Sequence, residues 1–239
     1  MHSLDFGVDF GRQFGNWGEI RTGIFRQQGH FFLKIGDAAD PRLLQLQQTL
    51  TPFNTHNYFL RFTYDRLDDV NFPHRGQQAT LQWRGERNVS ATEQPSDQVT
   101  FNYLGAYTRG RTTFSFSASG GMTLQARLTD INSLFSLGGF LNLSGLRVNS
   151  LTGPDFGIAR VLAYQQIGRG GPGYLDVPTY LGFSLEAGNV WQTRRLSGST
   201  EKDASVFLGL DTLLGPVYLA TGFDEHGNQA WYLFLGRTF

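Results

Sequence analysis

The chemistry open to this chain is narrow. It has no cysteine, so thiolate catalysis, disulfides and cysteine–metal sites are excluded. Its five histidines are scattered. His2 lies near the start, His74 in a turn-like stretch and His226 in "DEHGNQ", with no serine and acid at a spacing that suggests a relay. The sequence holds no Gly-x-Ser-x-Gly elbow and no phosphate-binding loop ending in lysine. The glycine-rich "GRGGPGYLD" (168–176) precedes nothing helical and reads as a turn. The expectation is a protein that is not an enzyme and holds neither cofactor nor metal. Two kinds of interaction remain. Arg160 and Glu186 can form an inward-facing ion pair if their segments are neighbouring strands. Asp65, Asp68 and Asp69 crowd "YDRLDDVNFPHRG" (64–76), where carboxylates accept turn N–H groups, Pro73 has no N–H to satisfy and Gly76 permits positive φ.

The elements that must position these residues are strands. "SLDFGVDFGR" sets Leu4, Phe6, Val8 and Phe10 against Asp5, Gly7, Asp9 and Gly11. "YLGFSLEAGNVW" sets Phe183, Leu185 and Ala187 against Gly182, Ser184, Glu186 and Gly188. "DASVFLGLD" sets Val206, Leu208 and Leu210 against Ser205, Phe207, Gly209 and Asp211. The same alternation marks 57–65 and 112–119, with further candidates near 17–27, 29–36, 77–88, 97–108, 155–167 and 215–223. With the terminal "AWYLFLGRTF" this predicts about twelve strands of roughly ten residues, the length of a tilted membrane-crossing strand.

The polar face separates a membrane barrel from a soluble sandwich. A sandwich's polar face meets water and carries Lys, Glu and Thr. Here it carries Gly, Ser and Thr with charges of both signs: Asp5, Glu19, Arg21, Arg61, Arg84, Glu86, Arg160 and Glu186. That composition favours a crowded lumen in which charges pair. Trp17, Tyr58, Tyr107, Tyr180, Trp191 and Trp231 near strand ends suit aromatic girdles at the membrane interfaces. Lipid leaves no backbone group unpaired, so such a sheet has to close, and residues 3–12 are predicted to pair with 229–239. The prediction is all-β: a single domain over 1–239, a closed antiparallel transmembrane β-barrel with both termini on the periplasmic side. The longer connections at 37–55, 89–96, 123–154 and 192–203 would face outward, and the tight ones at 109–110 and 214–216 inward. Leu137, Phe140, Leu141, Leu143 and Leu146 make the loop 123–154 too apolar for water, so it is predicted to fold into the lumen. "PRLLQLQQTL" (41–50) fits a short helix or a strand extension equally. Charge is balanced at 20 Lys+Arg and 20 Asp+Glu, which argues against nucleic acid as a partner. The start "MHSLDFG" has no basic n-region and no apolar h-region, and the favoured expectation is a chain whose leader has been removed.

Three stretches carry a family resemblance. Residues 64–76, with Asp65, Asp69, Phe72, Pro73 and Gly76, resemble the Asp-rich Phe-Pro-x-x-Gly periplasmic turn of the BamA/TamA outer-membrane barrel superfamily, although a generic hairpin turn remains open. "FSLGGFLNLSGL" (135–146) is similar to that superfamily's lumen loop, with Leu137, Gly138, Gly139, Phe140 and the later Gly145 at the motif positions. The wording is closest to the C-terminal barrel of patatin-like type V secretion phospholipases. Gly138 stands where the family places an arginine, and Glu186 matches the acidic partner of that arginine. The resemblance therefore implies a substitute cation for Glu186, Arg160 first and Arg147 or Arg84 as rivals; the alternative is a Glu186 that simply faces luminal water. The ending "LFLGRTF", with Leu233, Leu235, Gly236 and Phe239, resembles the targeting signal read by the barrel-assembly machinery, and Gly236 weakens the seam it would close. Residues 57–239 carry the motif order, and 1–56 match only as strands. About four strands of the family's usual sixteen look absent, with any POTRA or patatin domain.

The resemblance implies a location in the outer membrane of a Gram-negative bacterium and a role in protein translocation, secretion or barrel assembly, through the lumen or a lateral seam. The alternative is a small diffusion pore or a structural barrel. Implied partners are outer-membrane lipid and the assembly machinery during biogenesis, with a homodimer as an open alternative. The His-x-Ser-Asn-Gly strand of outer-membrane phospholipases is missing, as is an N-terminal amphipathic helix of the kind that threads an autotransporter.

Overall fold

The computed structural model describes residues 2–30, 53–88, 96–124, 134–168, 177–192 and 198–238. Among these the elements are all strands: β1 (His2–Phe14), β2 (Gly18–His30), β3 (Phe53–Asp65), β4 (Arg75–Asn88), β5 (Ser96–Arg109), β6 (Thr112–Thr123), β7 (Phe135–Leu137), β8 (Leu151–Gly153), β9 (Asp155–Gly168), β10 (Thr179–Trp191), β11 (Glu201–Thr212), β12 (Gly215–Asp224) and β13 (Gln229–Leu235). Eleven form one antiparallel meander in chain order, and β7 with β8 makes a separate small hairpin inside the connection from β6 to β9. Most meander strands run 12–14 residues, longer than an ordinary globular strand of about 5–6.

Period-2 alternation gives the sheet two unlike faces. The outer face carries Phe6 (79% exposed), Phe101, Phe116, Phe183, Leu219 and Leu233 (81% exposed), an apolar band that continues from β1 to β13. The inner face is polar on β1–β6 and densely filled from β9 onward. There, cross-strand pairing lines up one inward row: Ser117 opposite Arg160, Arg160 opposite Glu186, Glu186 opposite Asp203, and Asp203 opposite Asp224. The inner face of β1–β4 instead holds a loose charge ladder. Arg21 meets Asp9 at 2.8 Å and Glu19 at 3.7 Å, and Arg61 meets Glu19 at 3.9 Å.

The sheet curls. The turn joining β3 to β4 crosses the interior, with Asn71 donating from Nδ2 to Asp211 of β11 at 2.9 Å. Thr108 of β5 donates to the carbonyl of His74 in that turn at 2.8 Å. From the opposite end, the loop between β6 and β9 reaches as far as Tyr232 on β13.

Four expectations need correction. Among the described residues the sheet has eleven strands rather than about twelve: residues 29–30 continue β2, and the rest of the predicted 29–36 strand lies outside the described residues. Eleven alternating strands put the start of β1 and the end of β13 at opposite ends of the sheet, so the termini do not share a side. The same parity makes β1 and β13 run in the same direction, and no ladder joins them among the described residues. An antiparallel seam between 3–12 and 229–239 is therefore geometrically excluded. Finally, Tyr180 is no girdle residue; it points inward, 5% exposed, stacked on Phe72 with ring centroids 4.1 Å apart.

Candidate functional site: two inserts held in the lumen

The inner surface of β9–β13 receives one insert from each end. The first is the loop from 134 to 150, which the sequence places in the lumen by its apolar content. Leu137, Leu141 and Leu143 are buried, as are Gly138, Gly139, Phe140 and Gly145; Leu146 is half-buried, and 125–133 lie outside the described residues. The chain folds tightly here because glycines accept what other residues resist: φ is +116° at Gly138 and +113° at Gly139. A Cβ on Gly138 would lie 2.2 Å from the Arg147 carbonyl oxygen. Leu141 (φ 54°) and Leu143 (φ 73°) hold the same left-handed backbone without that freedom, at about 1–3 kcal/mol each. Something in the wall must offset this strain.

That something is a pair of carboxylates. Glu186, 3% exposed on β10, accepts from the N–H of Leu143 at 2.7 Å and of Ser144 at 2.9 Å on Oε2. Its Oε1 accepts from the hydroxyls of Ser144 at 2.6 Å and Ser184 at 2.5 Å. Asp203 on β11 accepts from Gly145 N–H at 2.5 Å. The Tyr232 hydroxyl on β13 lies 2.8 Å from the carbonyl oxygens of both Ser144 and Leu146 and can donate its one proton to either. The fit is close on every side: a Cβ on Gly222 of β12 would lie 2.0 Å from the Ser144 carbonyl oxygen, and one on Gly145 2.3 Å from the Asp224 nitrogen.

Arg160 and Glu186 are direct cross-strand partners, at the register expected from the hairpin, yet they form no direct ion pair. Arg160 donates from Nε to the Ser117 hydroxyl at 2.8 Å and from Nη1 to the Leu141 carbonyl at 2.5 Å. The arginine and the glutamate thus clamp the same turn, one through its carbonyl and the other through its N–H groups. A carboxylate taking four short hydrogen bonds is solvated by the protein, which answers why Glu186 tolerates burial with glycine at 138. The water-facing alternative does not describe it; Arg160 faces Glu186 across the ladder without a direct ion pair.

The second insert is the turn from 66 to 74. Asp65 accepts from Leu67 N–H at 3.0 Å, and Asp69 from Asn71 and Phe72 N–H at 2.7 and 2.8 Å. Asp68 accepts from His74 and Arg75 N–H, both at 2.9 Å. Gly76 has φ +107°, and a Cβ there would lie 1.9 Å from the Arg66 carbonyl oxygen. The capped turn drives Phe72, fully buried, into an aromatic cluster with Tyr164, Tyr180, Phe207 and Tyr218. Tyr164 donates its hydroxyl to the Pro73 carbonyl. Gly209 makes the room, since a Cβ there would sit 2.8 Å from the Phe72 ring.

Tyr218 joins the two inserts. Its ring centroid is 5.6 Å from Phe72 and 5.3 Å from Phe140, and Phe140 continues to Phe234 at 6.1 Å. An unbroken aromatic column therefore fills this half of the interior. Of the predicted C-terminal residues, Leu233 and Leu235 face outward on β13, Gly236 follows it with φ +135°, and Phe239 lies outside the described residues. Sequence reading put Ser184 on the face of Glu186 without giving it a role, and missed Ser144, Asp203, Tyr218 and Tyr232. Alternation with Phe207 marks Asp203 as inward, which is the one signal available. Among the described residues one group has metal-like spacing: Glu201, Glu225 and His226, with ligand atoms within 4.8 Å of one another near the turn between β12 and β13. His226 already faces Glu201 at 3.9 Å and Asp224 at 4.0 Å there.

No family model and no curated protein matches the sequence. Among solved structures the chain is similar to the crystal structure of BamA from Haemophilus ducreyi lacking POTRA domains 1–3. The TM-score is 0.74 at 12% identity, covering 97% of this chain and 53% of that one. The chain thus spans about half the length of the protein it matches. The fold is that of a BamA-type barrel. At this identity the likeness shows the fold alone.

Proposed function

We propose that this chain is a non-catalytic outer-membrane barrel wall that engages polypeptides at its free strand edges and does not conduct solutes through its lumen. The observation that carries the reading is the combination of an interior filled along β9–β13 with two edges left unpaired among the described residues. The apolar outer band is far larger than a soluble surface tolerates and matches a lipid-facing wall. Phe72, Tyr218 and Phe140 pack ring against ring along β9–β13, which counts against the diffusion pore.

Because β1 and β13 run in the same direction, an antiparallel ring closes only if an odd number of further strands stands between them. A single strand of another polypeptide satisfies that count. Strand addition at an exposed edge gives main-chain hydrogen bonds without demanding one sequence. The long connections would face outward, the partners being lipid and the polypeptide at the edge.

The test is reconstitution. Purified protein in planar bilayers should show little steady conductance, while the same protein in liposomes should speed membrane insertion of an unfolded outer-membrane barrel. Stable open channels with no effect on insertion would reverse the assignment in favour of the pore.

A further inference from the structure

Outside the lumen, the apolar band is interrupted by basic side chains at the long-connection end of β2, β3 and β4. Arg26, His56 and Arg87 are consecutive cross-strand partners, all facing outward. Neighbouring strands lie about 4.8 Å apart, so the three share a patch about 10 Å wide. Arg87 is neutralised by Asp97 at 3.0 Å and lies 4.9 Å over the Tyr58 ring. Arg26 donates from Nε to Asn54 Oδ1 at 3.0 Å and has no acidic partner among the described residues. One row toward the membrane centre the outward residues are Val8, Ile24, Tyr58 and Gly85. Gly85 lets Tyr58 lean over β4: a Cβ there would sit 2.2 Å from the tyrosine ring. Beside the displaced ring runs a groove of about 310 Å³ lined by Phe6, Val8, Ile24, Arg26, His56 and Tyr58. That volume is at the low end of small-molecule sites, which run about 300–1,000 Å³.

From this geometry we infer a binding site for a phosphate-bearing lipid, with an acyl chain in the groove and the headgroup phosphate on Arg26 and His56. Apolar walls that end in an unneutralised guanidinium fit a molecule that is greasy for most of its length and anionic at one end. A zwitterionic lipid brings its own cation to the patch and gains little from it. The arginine offers a forked donor, and the imidazole carries an N–H donor in either charge state. The row's place at the edge of the band puts the charge at the headgroup level, where a cation costs little. The phosphorylated glycolipid of the leaflet at that end is the occupant.

This inference rests on the membrane reading above, and the experiment keeps the two apart. Flotation of the folded protein with liposomes comes first: protein that stays in the soluble fraction overturns both. Floating protein is then taken into detergent, and native mass spectrometry compares retention of lipid A and phosphatidylcholine. Lipid A should be retained about fivefold to thirtyfold better, the scale of one to two basic groups near an anionic surface. The R26A/H56A double variant should lose that preference. Arg109→Ala, which removes an outward arginine at the other end of β5, should keep it. Val8→Trp, which fills the groove and spares the basic row, should also lose it. Displacement of lipid A by inorganic phosphate alone would mean a plain anion site. That result, equal retention of the two lipids, or an unchanged R26A/H56A would overturn the inference while leaving the membrane reading intact.

Discussion

Removing the Glu186 side chain should free the inserted loop without dissolving the sheet. In Glu186→Ala the N–H groups of Leu143 and Ser144 lose the one acceptor they have among the described residues, and both residues are buried. Each unpaired buried donor costs about 1–3 kcal/mol, so the docked loop loses about 2–6 kcal/mol. The two serines need not add to this. Ser184 can turn wholly to Ser205, already 2.7 Å away, and the Ser144 hydroxyl still accepts from Leu141 N–H. Undocking also relieves the left-handed strain at Leu141 and Leu143, at about 1–3 kcal/mol each, which lowers the resistance to release. The strand ladders flanking Glu186 depend on backbone bonds and remain. The assay is chymotrypsin cleavage near Phe140 of protein reconstituted in liposomes, read beside the heat-dependent gel shift that reports the sheet. Cleavage should rise by at least tenfold while the gel shift moves little. Glu186→Gln keeps one accepting oxygen and should lie between. A loop equally protected in wild type and Glu186→Ala would refute the carboxylate as its anchor.

Three further outcomes follow from the same geometry. Gly222→Ala should expel the loop as effectively as Glu186→Ala while leaving β12 formed, because its Cβ would lie 2.0 Å from the Ser144 carbonyl oxygen; protease protection at Phe140 checks it. Arg160→Lys should fail to restore loop protection, since one ammonium cannot hold both the Ser117 hydroxyl and the Leu141 carbonyl; full protection would favour a simple ion pair with Glu186. Phe72→Ala should lower the unfolding free energy by about 3–5 kcal/mol and raise bilayer conductance, since it empties the lower half of the aromatic column; unchanged conductance would place the barrier elsewhere.

The features legible in the sequence are those set by local period. Alternation identified the strands because the two faces of the sheet differ in polarity, so successive residues alternate, and hairpin counting put Arg160 opposite Glu186. The loop's leucines announced their burial, and the three aspartates their turn. What stayed hidden depends on contacts distant in sequence. Ser144 is an ordinary serine until the backbone strain at 141–143 aims it at Glu186. Tyr180 looks like a girdle residue until the 66–74 turn crosses the interior to stack on it. The parity of the sheet turned on whether 29–36 began a new strand, which a short alternating run cannot decide; β2 simply continues through His30.

The claim that the sheet works through its edges is tested most directly by crosslinking, for which the absence of cysteine supplies a clean background. Single cysteines at Phe10 on β1, Trp231 on β13 and Phe116 in mid-sheet would be presented, in liposomes, with an unfolded outer-membrane barrel carrying one cysteine in its terminal strand. All three positions face outward, with Phe10 75%, Trp231 71% and Phe116 47% exposed. The account predicts disulfides at Phe10→Cys or Trp231→Cys during insertion and none at Phe116→Cys. Crosslinks equally frequent at Phe116→Cys, or absent at both edges while insertion proceeds, would contradict it.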